Sequence, residues 1–382
     1  MAIRSLSLSV LSRLVLQVFR PRDGDRSLAF IFDLPDERLA DNAHWVWRRA
    51  MLADWTRKLR EARAEVGLDV VDLFAYRNVR SNNADLPREA WPVDPDRLPE
   101  HAADVAAPSL SMEHVLAGHR LIVAATELSA TAPLKLAAPR HGFRAATMPG
   151  FTADMLPTLA LDWERVHERC LDLKRRIDRA AGAELSFLVG DEPARLDVDL
   201  RHRVSVASGG LVTEPGTAGN VPSGETYIVP YEGEREHDES RTRGVLPLEL
   251  EGELLLYHVE RNRVASVLGE GPVARREREA LAAEPAYANV AELGFGVLAD
   301  FGVRPVGRIL LDEKLGLHVA FGRSDHFGGR VGAKDFSSPE AVVHVDRVYL
   351  PELQPRVRVA AVDLVGPAGE REPLMRDGSY VK

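Results

Sequence analysis

The stretch SLAFIFDLP, residues 27–35, is an unbroken apolar run bounded by a serine and by an Asp-Leu-Pro end. That length and those boundaries describe a strand covered on both faces, as in the middle of a parallel sheet. Immediately after it, DNAHWVWRRAMLADWTRKLREARAEVG (41–67) changes to helical periodicity, with a charged face and a glycine stop. LDVVDLFAY (68–76) returns to a strand, followed by a Pro-rich loop (86–99). HRLIVAAT (119–126) and FRAATMPG (143–150) are further short strands, and LALDWERVHERCLDLKRRIDRAAG (159–182) is a strongly amphipathic helix. Alternation of this kind implies helices packed over a parallel sheet, so residues 1–183 are expected to form an N-terminal α/β domain. No G-x-G-x-x-G or Walker-type glycine pattern occurs there to hold a nucleotide. The cluster HWVWRRAMLADW has the residue types of a stacking surface for nucleic acid. Its helical spacing instead predicts tryptophans in the core and arginines on a solvated face.

The first residues, MAIRSLSLSVLSRLVLQVF, predict an amphipathic helix rather than a secretory signal, because Arg13 interrupts the apolar run and no small-residue cleavage site follows. Elsewhere no apolar run approaches 18 residues, so no membrane span is expected. A net charge of -9, from 49 basic and 58 acidic residues, argues against a nucleic-acid partner. The single cysteine, Cys170, excludes an internal disulfide framework and a Cys-rich zinc module, and suits a reducing cytoplasm. Any metal must therefore be held by His, Asp and Glu.

At 382 residues the chain is long for one core, and its texture changes after residue 184. ELSFLVG, ETYIVPYEG, VLPLELEGELLLYHVERNRVASVLGEG and GRILLDEKLGLHVAFG are β-rich. A helix-like stretch (273–283) and YANVAELGFGVLADFG are expected to interrupt the strands. Residues 184–382 thus read as a strand-rich α+β C-terminal domain. Its acidic run EGEREHDES (232–240) lacks the ligand spacing of an EF-hand and reads as a solvated loop.

This second half also collects carboxylates and histidines. Glu225 follows a Pro-Ser-Gly turn in GNVPSGETYIVP (219–230), and Glu292 lies in the apolar NVAELGFG (289–296). LLDEKLGLHVAFG (310–322) holds Asp312, Glu313 and His318, and VVHVDRVYL (342–350) holds His344 and Asp346. In LHVAF, His318 and Ala320 share one face while Leu317, Val319 and Phe321 share the other; His344 and Asp346 likewise point the same way. Each residue alone has an ordinary reading. Glu225 could stabilise a turn, Glu292 could end a helix, Glu313 could sit on the surface beside Lys314, and either histidine could be a satisfied sheet residue. Together, three glutamates, two histidines and an aspartate make a donor set for zinc, cobalt, manganese or iron. Six donors exceed the needs of one tetrahedral ion, whereas two ions sharing a carboxylate use them all.

In their order and separation, NVPSGE, ELGFG, DEKLGLHVAFG and HVD resemble the four motifs of the thermophilic-type metalloaminopeptidases, the family of aminopeptidases T and S. The resemblance covers residues 219–346 and implies that Glu225, Glu292, Glu313, His318, His344 and Asp346 bind two divalent ions. It implies a peptide or small amide substrate, a metal-activated water, a carboxylate proton shuttle from Glu225 or Glu292, and a homodimer. One departure stands out. The family has a tyrosine soon after the HxAxG histidine, where this chain has Asp325 and His326, so His326 is the candidate to take over that role. The sequence is also similar to the 2,5-dihydroxypyridine dioxygenases, whose single iron would here fall to His318, His344 and Asp346. A metal-binding relative that has lost catalysis is the third reading.

Overall fold

The structure, a computed structural model, describes residues 4–381. They fall into two compact units. One holds the chain up to His167 together with Gly210–Ser223; the other holds Glu168–Gly209 and everything from Gly224 onward.

The first unit is built on a seven-stranded sheet. Its strands are β1 (Ser27–Leu34), β2 (Val70–Arg77), β3 (Glu89–Pro92), β4 (Leu110–Ser111), β5 (Leu121–Ala124), β6 (Arg144–Thr147) and β10 (Thr217–Asn220), in the order β10-β6-β5-β1-β2-β3-β4. From β10 to β2 all neighbours are parallel, and β3 and β4 add an antiparallel edge. As expected for a central strand, β1 is buried from Leu28 to Leu34. Among the described residues, the α-helices of this unit are α1 (Leu8–Phe19), α2 (Ala43–Glu61), α3 (Met112–Gly118) and α4 (Thr131–His141). In α1, Leu11, Leu14, Val15, Val18 and Phe19 are buried at the i, i+3, i+4, i+7, i+8 spacing of one helical stripe.

The α2 cluster departs from expectation in one respect. Trp45 and Trp55 are in the core, but Arg48 and Arg49 are buried with them. A buried guanidinium needs a partner to offset lost hydration. Arg48 pairs with Glu127 and donates to Phe151 O, and Arg49 pairs with Asp41.

The second unit contains two antiparallel sheets. The larger runs β14-β13-β12-β8-β7-β18-β19-β20 and uses β7 (Gly182–Val189), β8 (Glu192–Asp199), β12 (Arg243–Leu250), β13 (Glu253–Glu260), β14 (Arg263–Leu268), β18 (Val357–Val365), β19 (Arg371–Arg376) and β20 (Ser379–Tyr380). The smaller runs β17-β16-β15-β11-β9 and uses β9 (Val206–Ser208), β11 (Glu225–Ile228), β15 (Val290–Gly296), β16 (Leu317–Gly322) and β17 (His344–Val348). Two helices accompany them, α6 (Pro272–Ala283) and the one-turn α7 (Ile309–Asp312), while the division between units falls inside α5 (Trp163–Ile177).

Three expectations change here. The single break at 183/184 becomes a division inside α5 plus a second crossing, because residues 210–223 supply β10 to the parallel sheet of the first unit. YANVAELGFGVLADFG does not interrupt the strands: it contains β15, a fully buried inner strand. The acidic run 232–240 is a loop, but part of its charge is committed: Glu234 pairs with Arg203 and Asp238 with Arg201. Among the described residues no helix is long and apolar enough to cross a membrane.

Candidate metal centre

The five-stranded sheet carries the candidate donors on one face. Residues opposite each other in an antiparallel pair project to the same side. Glu225 lies opposite Gly296, His318 opposite Gly294, and Ala320 opposite both Glu292 and Asp346; Gly322 lies opposite His344. Glu225, Glu292, His318, His344 and Asp346 therefore share a face with Gly294, Gly296 and Ala320. The alternate positions Leu293, Phe295, Leu317 and Val319 are buried apolar residues on the other side.

The small residues make the room. A Cβ on Gly294 would lie 1.9 Å from His318 Nε2, so the imidazole occupies the space a side chain would take. A Cβ on Gly296 would lie 2.1 Å from the backbone carbon of Lys314, because the turn Glu313–Leu315 passes directly over the strand. The pattern E-L-G-F-G is thus one carboxylate followed by two bare positions on the same face.

Glu292 sits between the two histidines. Its Oε1 is 3.3 Å from His318 Nε2 and its Oε2 is 3.1 Å from His344 Nε2. His318 Nε2 is also 3.5 Å from Glu225 Oε2, and His344 Nε2 is 3.6 Å from Asp346 Oδ1. The result is two compact three-donor groups, Glu225–Glu292–His318 and Glu292–His344–Asp346, that share Glu292. The opposite ring nitrogens face backbone carbonyls: His318 Nδ1 is 3.3 Å from Gly316 O and His344 Nδ1 is 2.8 Å from Arg323 O. An Nδ1–H donated to a carbonyl fixes the ring and leaves Nε2 turned to the site, the usual support for a metal-binding imidazole.

Charge follows the same geometry. Burial works against protonated His318, but the hydrogen bond to Glu292 and the charges of Glu225, Glu292 and Asp346 raise its pKa to about 9. His344 is also raised well above the ordinary histidine value, since Asp346 and Glu292 outweigh its burial. Burial would raise Glu292, yet the two histidines hold it far below the usual carboxylate range. Without a metal, protons on two imidazoles balance these carboxylates.

Glu313 is placed differently from the other five. It is buried but belongs to neither three-donor group, and its Oε1 accepts from the Lys314 ammonium. The same ammonium lies 2.5 Å from Glu225 Oε1. Burial works against the charge on Lys314, and the carboxylates of Glu225 and Glu313 raise its pKa. Asp312 is turned away to accept from Val306 N at 2.9 Å.

His326 stands beside the centre, its ring 5.4 Å from that of His344 and edge-on to it. Asp325 Oδ1 is 3.6 Å from His326 Nδ1. The loop is held by Glu232, which accepts from Ser324 Oγ at 2.6 Å and from Arg330 N at 2.5 Å. Sequence reasoning missed Glu232, Lys314 and Tyr227. Tyr227 is the one with a readable signal, because in the strand E-T-Y it shares the face of Glu225. It is buried, its ring 4.7 Å from Phe327, and burial together with Glu292 and Glu225 keeps its phenol protonated.

The donor set fits divalent metal. It combines imidazole with carboxylate, and Glu225 Oε2 is buried without any hydrogen bond, an acceptor that a cation would satisfy.

No protein-family model matches the chain, and no curated protein matches it by sequence. Solved structures do match its fold. A 2,5-dihydroxypyridine dioxygenase from Pseudomonas putida KT2440 aligns with a TM-score of 0.62 at 14% identity, covering 98% of each chain. Wild-type AmpT (aminopeptidase T) from Thermus thermophilus aligns with a TM-score of 0.54 at 18% identity, covering 98% of this chain and 99% of that one. At such identities the likeness is one of fold, a distant structural relationship over nearly the full length of both proteins.

Proposed function

We propose that the chain is a metal-dependent hydrolase of the aminopeptidase type, with two divalent ions held on either side of Glu292. The observation that supports it best is the position of that carboxylate, whose two oxygens face two different histidine–carboxylate groups. A single ion has no use for two such groups, whereas a bridged pair uses both. Zinc, cobalt or manganese suits these donors. When bound, such ions supply Lewis acidity and a water of lowered pKa.

The chain's own groups do the rest. Glu225 is the first candidate to carry a proton from the attacking water, a role in which Oε2 would have to leave the metal, since Oε1 is held by Lys314. Glu292 is the second candidate for that shuttle to the leaving amine. His326 and the protonated phenol of Tyr227 flank the face as donors toward a developing oxyanion. A peptide or small amide with a free amine, a homodimeric state and a cytoplasmic location complete the reading. Zinc-, cobalt- or manganese-loaded protein is expected to release N-terminal residues from short peptides. Glu225→Gln and His344→Ala should each abolish that release and lower the bound metal, and retention of both properties in both variants sinks the assignment.

A second reading has its own support. Lys314 gives Glu225 and Glu313 a purpose outside metal binding, which leaves Glu292, His318, His344 and Asp346 as donors for a single iron, with Glu292 between the two histidines of the triad expected from the sequence. One ferrous ion per chain, with oxygen uptake on a dihydroxylated ring and no peptide cleavage, would favour this dioxygenase over the hydrolase.

Metal loading should also show a defined pH dependence. With His318 near 9 and His344 raised, both imidazoles carry protons at neutral pH, so loading should release about two protons. Apparent affinity then rises from pH 7 to 9. The metal-free chain behaves oppositely. A histidine raised from 6.5 to about 9 contributes stability fully present below 6.5 and lost as pH rises through 9. Glu292, being depressed, contributes above its unfolded value of 4.5 and loses that contribution in acid. Melting curves of chelated and zinc-loaded protein should therefore diverge as pH rises through this window; parallel curves would show that the histidines do not bind the metal.

A further inference from the structure

We propose that Lys314 is a resident cation of the centre, which takes Glu313 and one oxygen of Glu225 out of the ligand set. The inference rests on the metal reading above and narrows its ligands from six residues to five.

Three observations support it. The Lys314 side chain is 1% exposed, and its Nζ reaches the two carboxylates of Glu225 and Glu313. The ammonium cannot swing aside easily. Its turn lies against Gly296, and Gly296 N donates to Gly316 O at 2.8 Å. Finally, Glu225 is divided: Oε1 faces the ammonium while Oε2, which accepts no hydrogen bond, lies 3.5 Å from His318 Nε2. Glu313 has no comparable oxygen in a three-donor group.

The arrangement has a chemical consequence. Four protein donors close a tetrahedral ion and make it structural, whereas three leave a position for water or substrate. By engaging Glu313, Lys314 withholds a fourth donor and keeps each half of the centre at three protein ligands. Glu313 then positions Lys314 through its contact with the ammonium, and Lys314 in turn orients Glu225.

The test is equilibrium dialysis of the full chain against zinc and, separately, manganese, with the metal counted by mass spectrometry. Glu313→Gln should keep the wild-type ion count, with affinity lowered by no more than the roughly 10–100-fold of a lost outer partner, because it removes no ligand. Loss of an ion from the count would place Glu313 in the ligand set and overturn the inference. Lys314→Met supplies a second readout. With two buried carboxylates left bare, the rise in melting temperature on adding zinc should exceed that of the wild type; an equal or smaller rise counts against a resident cation. If Lys314→Met does not fold, Glu313→Gln decides alone. Failure of the metal reading itself looks different: wild-type chain takes up no ion, or His344→Ala keeps the full count, and the inference falls with it.

Discussion

Glu292→Gln is expected to strip both halves of the centre of metal at once, the largest loss of any single substitution on this face. Each three-donor group counts Glu292 among its members, so the change weakens both. Glutamine keeps the shape but gives up the charge, and its amide can offer an oxygen to only one side. The other side meets an NH₂ group aimed at an imidazole. Affinity should fall by at least about 100-fold at both positions, larger than the effect of losing an outer supporting partner. Peptide release, if zinc or manganese drives it, should fall with the ion count. Asp346→Asn gives the contrasting pattern, because Asp346 belongs to one group only: one ion is lost and one is retained. In the metal-free chain, Glu292→Gln breaks two buried contacts to protonated histidines. Removing one partner of a buried pair costs about 3–5 kcal/mol when the other must stay charged. Here the imidazoles can shed their protons instead, so the loss in chelated protein should fall below that range and shrink further above pH 9. Metal content and melting temperature, measured on the two variants side by side, check the prediction. A Glu292→Gln chain that still binds two ions at wild-type affinity would remove Glu292 from its shared role.

Much of this centre was legible because strands write their faces into the sequence at a period of two. LHVAF put His318 and Ala320 together, and HVD put His344 beside Asp346; both alternations hold in the sheet. The α1 stripe and the β1 run were equally readable, since each is local. The misses have a common cause. Two glycines hid the strand that carries Glu292, because glycine weakens any local strand signal and its use here depends on what approaches from elsewhere. Lys314 follows Glu313 in sequence and reads as an exposed pair; only the turn over Gly296 reveals that both point inward. Arg48 and Arg49 read as surface because the groups that hold them are remote or on a preceding loop, Glu127 and Asp41. The return of residues 210–223 to the first unit is a long-range event with no local signature.

The same two glycines carry the other large prediction, whose stability half can be tested on metal-free protein. Neither Gly294 nor Gly296 has a positive φ, so backbone conformation does not forbid a side chain at either position. In open space, Gly→Ala in such a strand would stabilise the fold by about 0.4–1 kcal/mol. Contact reverses the sign at both sites, but with different consequences. At Gly294 the added Cβ meets the His318 ring, 1.9 Å from Nε2 and 2.2 Å from Cε1. A ring can turn about its χ angles, although this one is fully buried and holds Glu292 and Gly316 O. Overpacking of this kind costs about 1–3 kcal/mol. Gly294→Ala should therefore fold with a lowered melting temperature, displace His318 and lose the ion of the Glu225–Glu292–His318 group while keeping the other. At Gly296 the Cβ meets backbone, 2.1 Å from Lys314 C and 2.4 Å from Leu315 N. No rotamer relieves that. The whole turn must move, taking Glu313 and Lys314 with it and breaking the bond from Gly296 N to Gly316 O. The cost should reach the upper end of the overpacking range or exceed about 3 kcal/mol. Gly296→Ala should thus be the worse folder of the two, in chelated as in loaded protein, and Gly294→Ala the more selective in its loss of metal. Equal melting temperatures for the two variants, or a full ion count in Gly294→Ala, would mean that the His318 ring and the Lys314 turn do not occupy the places assigned to them.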